Sequence, residues 1–170
     1  MAVTIRPASL ADAQLINDIY NPYVHSSTCT LQLEPTTLEE RQAWMRNLSP
    51  KHPVIIAEEN GVAVGWGSLV PFHVRPGYRF SVENSVYVRE GFHGRGVGQA
   101  IMTELIASAR SSGFHLIVAR ISSDQTSSVK LHERFGFTHA GTLHEVGTKF
   151  GRWTDVSFYE LRLSDRAPPG

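Results

Sequence analysis

Four glycines, Gly91, Gly94, Gly96 and Gly98, fall within eight positions of the stretch EGFHGRGVGQA. Backbone N–H groups in so dense a run stay open to an anion, most often a phosphate. A nucleotide-hydrolysing loop needs G-x-x-x-x-G-K-[ST], and no Lys-Ser or Lys-Thr follows these glycines. A dinucleotide fingerprint, G-x-G-x-x-G, is met at Gly94 and Gly96, but Gln99 stands where the third glycine belongs. In that arrangement Arg120, at the next strand end, would imitate the reader of a ribose phosphate. A third pattern, [QR]-x-x-G-x-[GA], cradles the diphosphate of CoA between a strand and a helix. His93-Gly94-Arg95-Gly96-Val97-Gly98 meets every position of it but the first. The N–H groups from Gly94 to Gln99 and the positive end of the following helix would face the diphosphate, and Arg95 would add charge. An ordinary glycine-rich turn ahead of a helix competes with that reading.

Just upstream, Glu83 lies on the polar face of a strand. A carboxylate there can take a proton from an incoming amine, or it can be a solvated surface group. Other chemistry is poorly served. The eight histidines, His25, His52, His73, His93, His115, His132, His139 and His144, are scattered without HExxH-like spacing, so no metal site is expected. No serine sits in a G-x-S-x-G elbow, and Cys29, the single cysteine, has no motif around it.

The elements that must position these groups follow from local signals. "VTIRPA" is a strand stopped by Pro7. Ser9 and Asp12 form a capping box for a helix whose apolar residues are Leu15, Ile16, Ile19, Tyr20 and Tyr23. Thr37 caps a second helix, with Glu39 and Glu40 in its first turn and Leu38, Trp44, Met45 and Leu48 as apolar contacts. Val54 to Ala57 and Val62 to Val70 read as a hairpin around Asn60-Gly61. In "YRFSVENSVYV", Phe80, Val82, Val86 and Val88 share one face, and Arg79, Ser81, Glu83, Ser85 and Tyr87 the other. The glycine run opens a helix carrying Ile101, Met102, Leu105, Ile106 and Ala109, ended by Gly113. "FHLIVARI" is a buried strand and "SDQTSSVKLHERFGF" a short helix. Extended segments from Thr138 to Val146 and Thr154 to Leu163 flank a turn-like "GTKFGRW". This is a mixed α/β order rather than strict βαβ alternation.

The 170 residues suffice for one domain, predicted over residues 1–164, with a frayed tail at 165–170. Sixteen basic residues balance sixteen acidic ones, which disfavours a nucleic-acid groove. A lone cysteine permits no intrachain disulfide. The segment MAVTIRPASLADAQ lacks the basic patch and apolar core of a secretory signal, and no stretch approaches a membrane span. A cytoplasmic protein is expected, with neither membrane nor nucleic acid as partner.

Taken together, "IRPA", "DIYNPYV", "PTTLEERQAW", "YRFSVENSVYV", "GRGVG", "LHERFGF" and "VGTKFGRWTDV" resemble the GNAT N-acetyltransferase superfamily over nearly the whole chain. Within it the sequence looks like the phosphinothricin and methionine sulfoximine N-acetyltransferases. The resemblance implies a GNAT fold, with a central, mixed, mostly antiparallel sheet flanked by helices. It also implies a homodimer, acetyl-CoA as donor and a small amino-acid-like amine as acceptor. Glu83 matches the family's general base. The main chain of Val86, Tyr87 and Val88 would pair with the pantetheine arm. His132 stands where many relatives carry a tyrosine proposed to protonate the leaving thiolate, and an imidazole can do this or simply make a structural bond. The family usually has Gln or Arg at His93 and Asn at Gln125. The Gln125 amide is therefore expected near the CoA arm. Arg75 and Arg79 are expected to hold a substrate carboxylate, or Arg79 to pair with Glu83. Phe72 and Tyr78 would line an apolar wall, and Lys149 and Phe150 would reach the pocket or dimer contact. Two other functions compete with small-molecule acetylation: acetylation of a peptide or protein, and a non-catalytic acyl-CoA sensor.

Overall fold

The computed structural model describes residues 3–165 and 167, so most of the tail expected at 165–170 lies outside the described residues. The chain runs β1 (Thr4–Pro7), α1 (Ala13–Ser26), α2 (Leu38–Arg46), β2 (Val54–Glu59), β3 (Val62–Pro71) and β4 (Ser81–Val88). It continues α3 (Val97–Ser111), β5 (Leu116–Ser122), α4 (Thr126–Arg134), β6 (Thr138–Lys149) and β7 (Arg152–Arg162), with 3-10 turns at Leu10–Asp12 and Pro76–Tyr78. The element order is the expected one, and so is the class: a mixed, mostly antiparallel sheet flanked by helices.

The seven strands form one sheet in the order β1-β2-β3-β4-β5-β7-β6. β4 and β5 run parallel at its centre, and the other neighbours run antiparallel. Each face buries its own core. Ile16, Ile19, Tyr20 and Val24 of α1 pack on Ile56, Ala63 and Trp66. On the other face Val97, Ile101, Met102 and Leu105 of α3 pack on Val64, Leu69, Val82 and Ile117. Burying each large aliphatic side chain contributes about 1.5–3 kcal/mol. The close approach of α3 depends on Gly67, where an added Cβ would stand 2.4 Å from Cγ2 of Ile101.

Local signals set the element ends. Thr37 and Glu40 make a reciprocal capping box at α2. Asn60 and Gly61 both take positive φ, as a two-residue primed hairpin turn requires. Two expectations need correction. β4 starts at Ser81, not Tyr78, because Pro76 to Tyr78 close a 3-10 turn. The last two strands extend further into the "KFGRW" stretch than expected. Phe150 and Gly151 both adopt positive φ, so a two-residue turn lets Gly147–Lys149 pair with Arg152–Thr154.

Candidate active site

The site begins where two strands part. β4 stays paired to β3 along its length, from Val82 to Val88, but pairs with β5 only from Ser81 to Glu83. Beyond Glu83 the strands diverge, and a groove of about 990 Å³ opens between Glu83–Val88 and Ala119–Ser122. Its mouth is lined by Gly94, Gly96, Val97, Gly98 and Gln99. Gly96 caps α3 with φ 83°, a conformation that favours glycine, so the first N–H groups of a 15-residue helix point out of the turn. No atom lies within 4 Å of where a Cβ would stand at Gly94 or Gly96. The loop backbone is thus open toward the groove, and Val86, Tyr87, Val88 and Gln125 line the same groove.

Arg95 does not join them. Its guanidinium bonds Glu59 at 2.6 Å and covers the Phe92 ring at 4.8 Å, outside the groove lining. The cations that do line the groove are Lys130 and Arg134 on α4 and Arg120 on β5. Nothing in the local sequence around the two α4 residues marks them for this groove.

His93 lines the groove and bonds the Tyr23 hydroxyl through Nε2 at 2.8 Å. Tyr23 in turn donates to the Val88 carbonyl, so Nε2 of His93 is the donor to the phenol oxygen. Burial pushes the Tyr23 phenol up to about 12. His93 thus ties the glycine loop to α1 and to the end of β4. The Gln125 amide nitrogen bonds Thr28 Oγ1 at 2.8 Å, and Thr28 donates to Asp124. Together with the Ser122 Oγ to Thr28 carbonyl bond, this pins the α1–α2 loop over the end of β5.

A smaller cavity of about 440 Å³ adjoins the groove on the α1–α2 face of the sheet. It is lined by Arg41, Trp44, Trp66, Ser68, Tyr87 and Arg120, among others. Glu83 lines both spaces. Its Oε1 accepts from Arg120 Nε at 2.8 Å. The expected ion partner, Arg79, instead lies over the Phe80 ring at 4.6 Å and donates to the Pro76 carbonyl. Arg120 therefore pairs with the candidate base rather than reading a ribose phosphate.

His132 also lines the groove, but both of its nitrogens are committed. Nδ1 meets the Ser128 carbonyl at 2.8 Å and must carry the proton, so Nε2 accepts from Asn84 Nδ2 at 3.0 Å. Burial lowers its pKa. A neutral imidazole held this way has no proton free for a thiolate, so the geometry speaks for the structural bond. Asn84, its partner, lies on the apolar face of β4, where the alternation calls for a valine or isoleucine, and that polar residue on an apolar face is the signal that sequence offers for the contact.

The residues expected to bind the acceptor are not brought together. Phe72, Arg75, Tyr78 and Arg79 occupy the β3–β4 connection and line neither cavity. That loop folds on itself: Tyr78 packs edge-on to Phe72 at 5.8 Å and against His73 at 4.8 Å. Lys149 is 4 % exposed and donates to the carbonyls of Ser27 at 2.6 Å, Thr30 at 2.7 Å and Tyr23 at 3.4 Å. It staples the end of α1 and the following loop and lines neither cavity. Phe150 points out at the hairpin turn, half exposed.

A strand pair opened beside a glycine-rich helix start, with one carboxylate bordering two adjoining spaces, is a layout that suits a CoA-dependent acyltransferase. Residues 5–158 match the acetyltransferase (GNAT) domain family. The chain belongs to that family and is an N-acetyltransferase. It is 38% identical over 169 residues to the L-methionine sulfoximine/L-methionine sulfone acetyltransferase of Salmonella typhimurium, covering 98% of each chain. It is 37% identical over 165 residues to the phosphinothricin N-acetyltransferase of Streptomyces coelicolor, covering 95% of this chain and 96% of that one. An acetyltransferase of Salmonella typhimurium solved with acetyl-CoA superposes with a TM-score of 0.95 at 37% identity, covering 100% of this chain and 99% of the other.

Proposed function

We propose that this enzyme transfers the acetyl group of acetyl-CoA to the α-amino group of a small amino acid or analogue, of the methionine sulfoximine, methionine sulfone or phosphinothricin type. One observation carries the reading: Glu83 lines both the long groove and the small cavity, so one carboxylate borders the donor and the acceptor. The cradle from Gly94 to Gln99 receives the diphosphate, and Lys130 and Arg134 supply the charge that Arg95 does not. The pantetheine lies along Val86, Tyr87 and Val88.

The acceptor enters as an ammonium, since model α-amino groups titrate at about 7.7–8.0. Glu83 takes a proton, directly or through water, and the freed nitrogen attacks the thioester carbonyl. A β4 backbone N–H polarises that carbonyl as it becomes an oxyanion. Collapse breaks the C–S bond, leaving the N-acetyl product and CoA thiolate. A thiol of pKa about 8.5 is a fair leaving group. The thiolate is protonated by solvent, and His132 is assigned no proton transfer.

The reading includes a cytoplasmic homodimer. Leu143, Val146 and Trp153, each at least half exposed on β6 and β7, offer an apolar face to a second copy. Light scattering that returns a monomer would remove that part alone.

Glu83→Gln tests the mechanism. Loss of a general base costs about 10²–10⁴-fold. The deficit in kcat/KM should be largest at pH 6 and shrink toward pH 9, where free amine is plentiful, with acetyl-CoA affinity retained. Activity within threefold of wild type at every pH would remove Glu83 as the base. Thiol release measured with amino-acid analogues, polyamines and peptides tests the acceptor class, and turnover confined to peptides would overturn it.

A further inference from the structure

Arg41 is 6 % exposed, yet no carboxylate among the described residues lies within ion-pair distance of it. It sits in α2, three residues after Leu38 and three before Trp44, on the helix's apolar side. Nε is spent on Oδ1 of Asn17 at 2.9 Å. Asn17 is fixed in turn by donating to the carbonyls of Thr36 and Thr37. The guanidinium carbon lies 5.0 Å from the Tyr20 ring centre, 4.9 Å from Trp44 and 5.4 Å from Trp66. The rings and the brace fix the group in place, while its two terminal nitrogens make no hydrogen bond to a described residue. A buried cation without an anion is costly. The side chain lines the same small cavity as Glu83.

We propose that Arg41 receives the α-carboxylate of the acceptor, with its terminal N–H groups as a two-pronged donor. The assignment rests on the amino-acid acceptor reading and gives it a residue. The guanidinium fork matches a carboxylate. The one other arginine of this cavity, Arg120, already has a carboxylate partner in Glu83, whereas Arg41 has none among the described residues. A cavity of about 440 Å³ lined by a guanidinium without a carboxylate partner among the described residues and by a carboxylate suits an α-amino acid: carboxylate to Arg41, amine to Glu83. Glu40 also lines the cavity but makes no ion pair with Arg41.

The test compares L-methionine sulfone with its carboxamide, which keeps the amine and loses the charge. Wild type should favour the acid by about 100-fold or more in kcat/KM, carried mainly by KM, because a buried charge left unpaired is strongly penalised. In Arg41→Gln the acid-to-amide ratio should collapse to within about threefold, and Arg41→Lys should keep part of it. Acetyl-CoA affinity should hold in both variants, since Arg41 does not line the long groove. An unchanged ratio in a variant that still binds acetyl-CoA overturns the assignment while leaving the amino-acid reading intact. Should neither variant fold, equal use of acid and amide by wild type overturns it. A wild type that acetylates only amines without a carboxylate overturns both readings, which separates the two failures.

Discussion

Replacing Lys149 with methionine separates a structural lysine from a substrate-binding one. The three N–H groups of the ammonium meet three carbonyls, two of them at 2.6 and 2.7 Å, at the C-terminal end of α1 and in the loop after it. Methionine fills similar space but donates nothing, so the Ser27 and Thr30 carbonyls lose their buried partner. Each orphaned acceptor costs about 1–3 kcal/mol. Recovery of the lysine's own desolvation offsets part of this, leaving roughly 3 kcal/mol. For a chain of this size 1 kcal/mol moves Tm by about 2–4 °C, so thermal unfolding should begin roughly 6–12 °C earlier. The loop should also become the first site of limited proteolysis, because its anchor is gone. Among molecules still folded at 20 °C, the preference for an amino acid over its carboxamide should stay within threefold of wild type. A Tm within 2 °C of wild type, or a collapsed acid-to-amide ratio, would refute the staple.

Arg95→Ala should leave the KM for acetyl-CoA within about twofold, because the guanidinium is turned to Glu59. With Arg95 44% exposed, the lost pair should lower Tm by only a few degrees, about 1 kcal/mol, in a calorimetric melt. His132 gives a pH dependence. Its folded pKa lies below the unfolded value of about 6.5, so its neutral-form stability is complete above that value and declines as pH falls. The loss is at most about 1.4 kcal/mol per unit, and subtracting the His132→Gln denaturation curve should isolate it. Gly67→Ala should overpack the β3–α3 contact by about 1–3 kcal/mol, measured by urea denaturation. An unchanged midpoint would mean that α3 shifts freely.

The features legible from residue order are local in origin. The box at Thr37 and Glu40, the Asn60-Gly61 turn, the alternation around Glu83 and the glycines ahead of α3 act within a few residues. These signals, with the family resemblance, are enough for the order of elements, and they put the glycine run and Glu83 on neighbouring segments. The side chains whose contacts differ from the local expectation take their roles from distant partners. Arg95 meets Glu59 across 36 residues, His132 meets Asn84 across 48, and Lys149 meets Ser27 across 122. Arg41 carried one faint signal, a charge within the apolar stripe of α2. Only the packing of α2 over Tyr20 and Trp66 turned that charge toward a cavity. Helix periodicity says which face is buried, whereas the empty space left beside that face depends on every element packed around it. The glycine loop is therefore legible from consecutive residues, whereas the small cavity exists only once α1, α2, β3, β4 and β5 pack together, because each supplies part of its wall.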